Sequence, residues 1–292
     1  MKKISFKQIQ YHVAYRQDGE INFHVVKNNK GTWSADPFLF EYKGEMYIFA
    51  EMWVITKGKG VIAYSKWDGE KFSEWNPVIE ENYHLSYPNI FMYNGEIYLC
   101  PESNENKDIC IYRAKEFPNK WEKIHTLLSG DRYVDTTFFE YKNGIYGFTY
   151  RLCEDKEKNG ELYLFKISDE KIAFLADVPI SNDDKVARPA GNCIEYMEKL
   201  IRVSQNCQGI YGKGLMFSEI EFDGRKYKEY LIREIYPKDI TCENTDGINI
   251  IGIHTYNQRN GFEVIDLRSC DFSVQLLAEK IIGKVKRMLR KD

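Results

Sequence analysis

Four carboxylates, Asp36, Glu51, Glu102 and Asp135, stand at the ends of apolar runs, where packing alone would select apolar side chains. Burying an ionisable group costs free energy unless it is partnered, so their recurrence at one kind of position implies a polar pocket that they share. Paired carboxyl groups suit glycosidic chemistry: one activates water or an acceptor hydroxyl, while a carboxylic acid of raised pKa protonates the leaving oxygen. Like charges crowded into one pocket would themselves raise one of those pKa values. Asp36, Glu102 and Asp135 are therefore the candidate catalytic residues. Each also has a purely structural role open to it, as a strand-end carboxylate satisfied by a backbone N–H or an arginine. Around them Glu51, His84, Tyr87, Arg188, Gln205, Tyr211, His254 and Asn257 can hydrogen-bond a sugar, and Trp33 can stack on a pyranose face. Arg188, close to several carboxylates, also suits a phosphate or uronate group on the ligand.

The spacing of these residues shows what must position them. With Asp36 as position 0, a turn glycine (Gly44) falls at 8, Tyr47 at 11 and Glu51 at 15. The same ruler fits Tyr87, Gly95, Tyr98 and Glu102, then Asp135, Asn143, Tyr146 and Tyr150. It fits more loosely Ala190, Glu198, Ile201 and Gln205, and Asp239, Gly247, Ile250 and His254. Two aromatic and β-branched runs around a Gly-containing turn are a β-hairpin. Their nearly continuous apolarity predicts strands covered on both faces. Five strand-rich units with a period near 50 residues predict an all-β fold, a five-bladed β-propeller. Positions 0 and 15 of every unit then meet at one rim of the central channel. Residues 1–271 would form the propeller, with the N-terminal runs Tyr11 to Tyr15 and Ile21 to Val26 supplying the outer strand that completes the last blade.

From 272 to 292 the period becomes helical. Leu277, Ile281, Ile282, Val285, Met288 and Leu289 share one face and Lys280, Lys284, Lys286, Arg287, Arg290 and Lys291 the other, which predicts a basic amphipathic helix. Such a helix docks on the propeller or attaches to an anionic membrane surface or a partner protein such as a glycosyltransferase.

A formal charge of −3 argues against a nucleic-acid partner. Seven cysteines without a C-x-x-C pair read as reduced core residues, which points to the cytoplasm, with membrane association through the helix as a variant. The N-terminus lacks an apolar run of signal-peptide length, and nowhere are there 18 consecutive apolar residues. Phosphate-loop, dinucleotide, nucleophile-elbow and zincin motifs are absent and the five histidines are scattered, so neither cofactor nor metal is expected.

Several motifs carry a family resemblance: Ala35-Asp36-Pro37-Phe38, His84-Leu85-Ser86-Tyr87-Pro88, Pro101-Glu102, Phe117-Pro118…Trp121, Val134-Asp135, Ala187-Arg188-Pro189-Ala190-Gly191, Gln205 with Tyr211-Gly212, and His254-Thr255-Tyr256-Asn257. Over roughly residues 10 to 270 the chain resembles the propeller domain at the N-terminus of plant glucosamine inositolphosphorylceramide transferases and of stand-alone microbial proteins. That domain is in turn similar to the five-bladed propellers of family 43 and family 32 glycoside hydrolases. The resemblance implies that Asp36 is the base or nucleophile and that Asp135 tunes or orients. It also implies a Glu acid at the start of the fourth blade, where Arg188-Pro189-Ala190 stands instead, so Glu102 or Glu51 would have to serve. The expected function is a carbohydrate-active enzyme, transferase or hydrolase, in surface-polysaccharide or glycolipid metabolism, acting on a carbohydrate or sugar nucleotide. Two alternatives are a non-catalytic sugar-binding propeller that positions a glycan for a partner glycosyltransferase and, less in keeping with so many carboxylates, a protein-interaction scaffold.

Overall fold

In the computed structural model the residues described are 7–154, 160–243, 248–272 and, of the tail, 278 and 281. They form five sheets, each a blade, antiparallel except for one short parallel pairing at the outer edge of the last. Blade 1 runs Thr32–Tyr42, Glu45–Val54, Lys59–Lys66, Asn76–Ile79. Blade 2 runs Ser86–Tyr93, Glu96–Ser103, Asp108–Glu116, Lys120–Ser129. Blade 3 is Tyr133–Tyr141, Gly144–Arg151, Glu161–Ser168, Lys171–Phe174, and blade 4 is Ile194–Tyr196, Lys199–Asn206, Gly214–Phe222, Tyr227–Ile235. The all-β five-bladed architecture is the one that the ruler predicts. The terminal amphipathic helix expected within 272–292 falls almost wholly outside the described residues, which do not support it.

Blade 5 departs from the expectation. Its hairpin turn is Asn260-Gly261, between Tyr256–Arg259 and Phe262–Phe272, whereas Gly247 lies outside the described residues. Asp239 sits exposed in the 3-10 turn Pro237–Asp239, away from the channel rim. Because Phe262–Phe272 is thus the second strand of the blade, the N-terminus supplies two strands instead of one. Lys7–Gln17 is the third, Phe23–Val25 the fourth, and Cys242–Glu243 pairs beyond it in parallel.

Apolar side chains from facing sheets fuse into core clusters at the blade junctions. Val13, Tyr15 and Val264 meet Leu39 and Ile48 between blades 5 and 1. Phe38, Phe49 and Ile62 meet Tyr87, Ile90 and Leu99 between blades 1 and 2. Both faces of the inner strands are covered, which explains their unbroken apolar runs.

A shared backbone device sets the rim. Asp36, Tyr87 and Asp135 have left-handed φ values of 52°, 43° and 51°. In each, the ladder shifts register beside that residue, at Ala35/Phe38, Ser86/Asn89 and Val134/Thr137. A residue with a Cβ pays about 1–2 kcal/mol for this conformation, so the three bulges persist because the blades around them hold them.

Between blades 3 and 4 lies Arg202, 1% exposed. Its Nε donates to Glu229 Oε2 at 3.0 Å and to Tyr227 Oη at 3.1 Å, its Nη2 donates to the Val186 carbonyl at 2.7 Å, and its guanidinium lies over the Phe148 ring. Removing one member of a buried pair strands the other. Arg202→Ala is therefore expected to cost roughly 3–5 kcal/mol, read as a lower urea midpoint with an unchanged slope. A midpoint unchanged from the wild type would show that Glu229 finds water instead.

Candidate active site

Asp36, Glu51, Glu102, Asp135, Arg188 and His254 converge on one pocket of about 190 Å³ at the channel rim. Its walls include Tyr11, Trp33, Trp53, His84, Ser86 and Tyr211. A larger cleft of about 390 Å³ opens between blades 2 and 3, but its lining is mainly apolar, with Phe91, Tyr98, Ile111, Leu127 and Phe138, and it brings no two carboxylates together.

Asp36, 7% exposed, hangs from the first bulge. Its Oδ1 accepts the Thr255 hydroxyl at 2.9 Å and its Oδ2 the Tyr87 N–H at 3.2 Å. Beneath it lies a relay. Asp266, fully buried, accepts the N–H groups of His254 at 2.9 Å, Thr255 at 3.1 Å and Asp36 at 3.1 Å, and it pairs with His254 Nδ1. His254 Nε2 in turn faces Asp36 Oδ1 at 3.6 Å. Burial pushes the Asp36 carboxyl up to about 6; Asp266 and Asp135 add to the rise, while the His254 charge and the Thr255 hydrogen bond oppose it. Burial acts to raise Asp266 as well, but the His254 charge and the hydrogen bonds it accepts outweigh that and hold it low. Burial alone would lower His254; its two carboxylate neighbours raise it. Donor atoms of Asp36, His254 and Asp266 lie within 4.8 Å of one another, a spacing that a cation could bridge. Here they engage each other, with the His254 ring between the two carboxyl groups.

Asp135 is locked. Arg188 Nε donates to its Oδ2 at 2.5 Å and Gln205 Nε2 to the same oxygen at 3.4 Å, while the Arg188 guanidinium lies over the Tyr211 ring at 4.9 Å. Glu102 Oε1 accepts the Asn104 amide. Its carboxyl is pushed well up by burial and then by Asp135, with Arg188 opposing. Glu51 is raised too, by burial and then by Asp36, Glu102 and Asp266.

The aromatic rim is stacked. Trp33 and Trp53, opposite each other across the first hairpin, are parallel with centroids 5.3 Å apart, and Tyr11 lies against both Trp33 and His254.

Three residues expected to bind substrate do not line the pocket. Tyr87 is 1% exposed; its hydroxyl accepts the Gly191 N–H at 2.6 Å and meets Thr137 Oγ1 at 2.8 Å, so the ring ties blades 2, 3 and 4 together. Asn257 donates to the Pro37 carbonyl at 2.7 Å and accepts the Asn192 N–H at 2.8 Å. Gln205 acts one step back, on Asp135 and the Pro189 carbonyl. In each case a long polar side chain at the rim turns inward to satisfy backbone groups that would otherwise be orphaned. Conversely, Tyr11, Trp53, Ser86 and Asp266 belong to the site without having been singled out from the sequence.

Comparison with known proteins identifies the family and the fold. The family model described as "Glucosamine inositolphosphorylceramide transferase 1, N-terminal" matches residues 24–248. Glucosamine inositolphosphorylceramide transferase 1 of Arabidopsis thaliana is 34% identical over 208 residues, covering 67% of this chain and 26% of the relative. That of Oryza sativa subsp. indica is 30% identical over 204 residues, covering 67% and 27%. The chain thus spans about a quarter of the length of these curated relatives. Among solved structures, the catalytic domain of the Coprinopsis cinerea GH62 α-L-arabinofuranosidase has a TM-score of 0.61 at 11% identity, covering 90% of this chain and 98% of that one. A thermostable family-43 glycoside hydrolase has a TM-score of 0.58 at 13% identity, covering 84% and 90%. At such identities the solved structures establish a shared fold. The match over most of the chain shows that this protein belongs to the glucosamine inositolphosphorylceramide transferase N-terminal domain family.

Proposed function

We propose that this propeller makes or breaks a glycosidic bond at the rim pocket, in the metabolism of surface polysaccharide or glycolipid. The observation that carries the reading is the unequal treatment of carboxyl groups in one cavity. Asp36 accepts two hydrogen bonds and faces the His254–Asp266 relay, whereas Glu51 and Glu102 lack such a relay and are pushed well toward their neutral forms. Groups whose environments drive their proton affinities apart are suited to acid and base roles. A pocket of about 190 Å³ lies below the usual range of roughly 300–1,000 Å³ for larger ligands. It suits one sugar ring, with the rest of a glycan or sugar nucleotide outside, against Trp33 and Trp53. In this reading Asp36 is the base and Asp135 its supporting carboxylate. The transferase names of the relatives support glycosyl transfer, and the fold supports hydrolysis equally.

One observation favours the alternative of a sugar-binding module: the Arg188 clamp on Asp135 removes one carboxylate from direct chemistry. The deciding experiment incubates the purified protein with a panel of sugar nucleotides, with and without glycan acceptors, and with aryl glycosides. Turnover of any of them supports the enzyme. Saturable sugar binding with no turnover across the panel makes the pocket a binding module.

A further inference from the structure

We propose that Glu51 is the proton donor of this pocket, the group that protonates the departing glycosidic oxygen. The assignment rests on the glycosidic reading above and deepens it.

Glu51 Oε1 is buried in the pocket lining with no hydrogen-bond partner. A buried unpartnered carboxylate oxygen is costly, whereas a neutral carboxyl at the same place costs far less. Among the described residues no Lys or Arg pairs with it. Its neighbour is His84, whose Nε2 lies 3.8 Å from Oε1. His84 Nδ1 accepts the Gly60 N–H at 2.8 Å, which places the ring proton on Nε2 and makes the imidazole neutral; burial also holds its basicity down. The other titratable groups acting on Glu51 are acidic: Asp36 on its own hairpin, Glu102 from blade 2 and Asp266 from blade 5. Gly60 keeps the place open. A Cβ there would stand 2.7 Å from Glu51 Oε1 and 2.4 Å from the Leu85 carbonyl.

Glu102 is also raised by burial, but it differs in two respects. Its Oε1 is occupied by the Asn104 amide, and Arg188 favours its charged form. The pocket therefore holds one carboxyl kept neutral with an unengaged oxygen, Glu51, and one carboxylate kept ready to accept, Asp36. In the reaction the Glu51 proton passes to the leaving oxygen as the bond from the anomeric carbon breaks. Asp36 takes the proton of the incoming water or acceptor hydroxyl, whose oxygen forms the new bond. Solvent exchange then returns a proton from Asp36 to Glu51.

Two measurements on the whole chain test this. The first is a ¹³C NMR titration of protein labelled at the glutamate carboxyl carbons, in which the Glu51 signal is the one lost in E51Q and the Glu102 signal the one lost in E102Q. Glu51 is expected to stay protonated through neutral pH. The second compares leaving groups. E51Q should lose about 10²–10⁴-fold in kcat/KM on substrates leaving as unactivated alkoxides, and about tenfold or less on nitrophenyl glycosides, which leave without a proton. If wild-type protein turns over a substrate but Glu51 titrates as an ordinary carboxylate, or if E51Q loses the same factor on both classes, Glu51 is not the donor and the enzyme reading survives. If no substrate is turned over, both fail together.

Discussion

Asp36→Asn should reduce turnover by about 10²–10⁴-fold while changing sugar affinity little, because it keeps the shape of the side chain and removes its capacity to accept a proton. The amide oxygen can still accept the Tyr87 N–H, and the amide NH2, in place of the other carboxylate oxygen, can donate to the Thr255 hydroxyl oxygen, so the bulge has no reason to collapse. Two pH readouts separate a base from a scaffold. First, a base must be ionised, so wild-type activity should rise with pH through about 6, where burial has moved the carboxyl, and the residual activity of the variant should lack that limb. Second, stability should move the other way. The folded state binds the Asp36 proton more tightly than the unfolded chain, whose carboxyl titrates near 3.8. The stabilisation from this group is therefore complete below that value and is lost as pH rises through about 6. The Asn variant, neutral throughout, should be at least as stable as the wild type at pH 7. A variant that unfolds more easily at pH 7 and binds no sugar would mark Asp36 as a structural residue and favour the binding-module reading.

How far this site was legible in the sequence depends on which strand each residue rides. Asp36, Glu51, Glu102 and Asp135 were legible because they sit at fixed offsets from hairpin turns, and inner hairpins are the part of a blade with the strongest local signal. The same ruler gave Tyr87 a substrate role because it reports the place of a Cα at the rim and not the direction of a long side chain; the Tyr87 ring goes inward to Thr137 and Gly191. Tyr11 was invisible to it, since that residue comes from the third strand of blade 5, outside any inner hairpin. The relay was hidden by the misplaced fifth hairpin. Its inner strand is broken between Ile250–Gly252 and Tyr256–Arg259, and His254 and Thr255 lie in the gap. With the turn set at Asn260-Gly261, an Asn-Gly signal that the sequence does carry, Asp266 stands out as one charged residue in the apolar run Val264 to Leu267.

The largest effect on the fold should come from a chain that begins at residue 18, lacking the strand Lys7–Gln17. That strand pairs over eleven positions, from Lys7↔Phe272 to Gln17↔Phe262, and it is the third strand of a blade whose first two come from the other end of the sequence. Its side chains close the ring on both sides. Val13 and Tyr15 belong to the core shared with blade 1, and Ala14 to the core shared with blade 4. Burying a large apolar side chain is worth about 1.5–3 kcal/mol, so losing two of them together with a central row of ladder hydrogen bonds approaches the whole stability of a typical domain, about 5–15 kcal/mol. The truncated chain would also expose the long, apolar edge of Phe262–Phe272, a template for aggregation. It should therefore lose the near-ultraviolet circular dichroism of packed aromatics and much of its solubility. A synthetic peptide of residues 1–17, added during refolding, should restore both, since the deleted strand is one continuous segment that pairs through its backbone. A truncated chain that unfolds cooperatively within about 1 kcal/mol of the full one would mean that the ring closes without this strand, and the joint between blades 5 and 1 would then have to be held by Val264 and the inner hairpins alone.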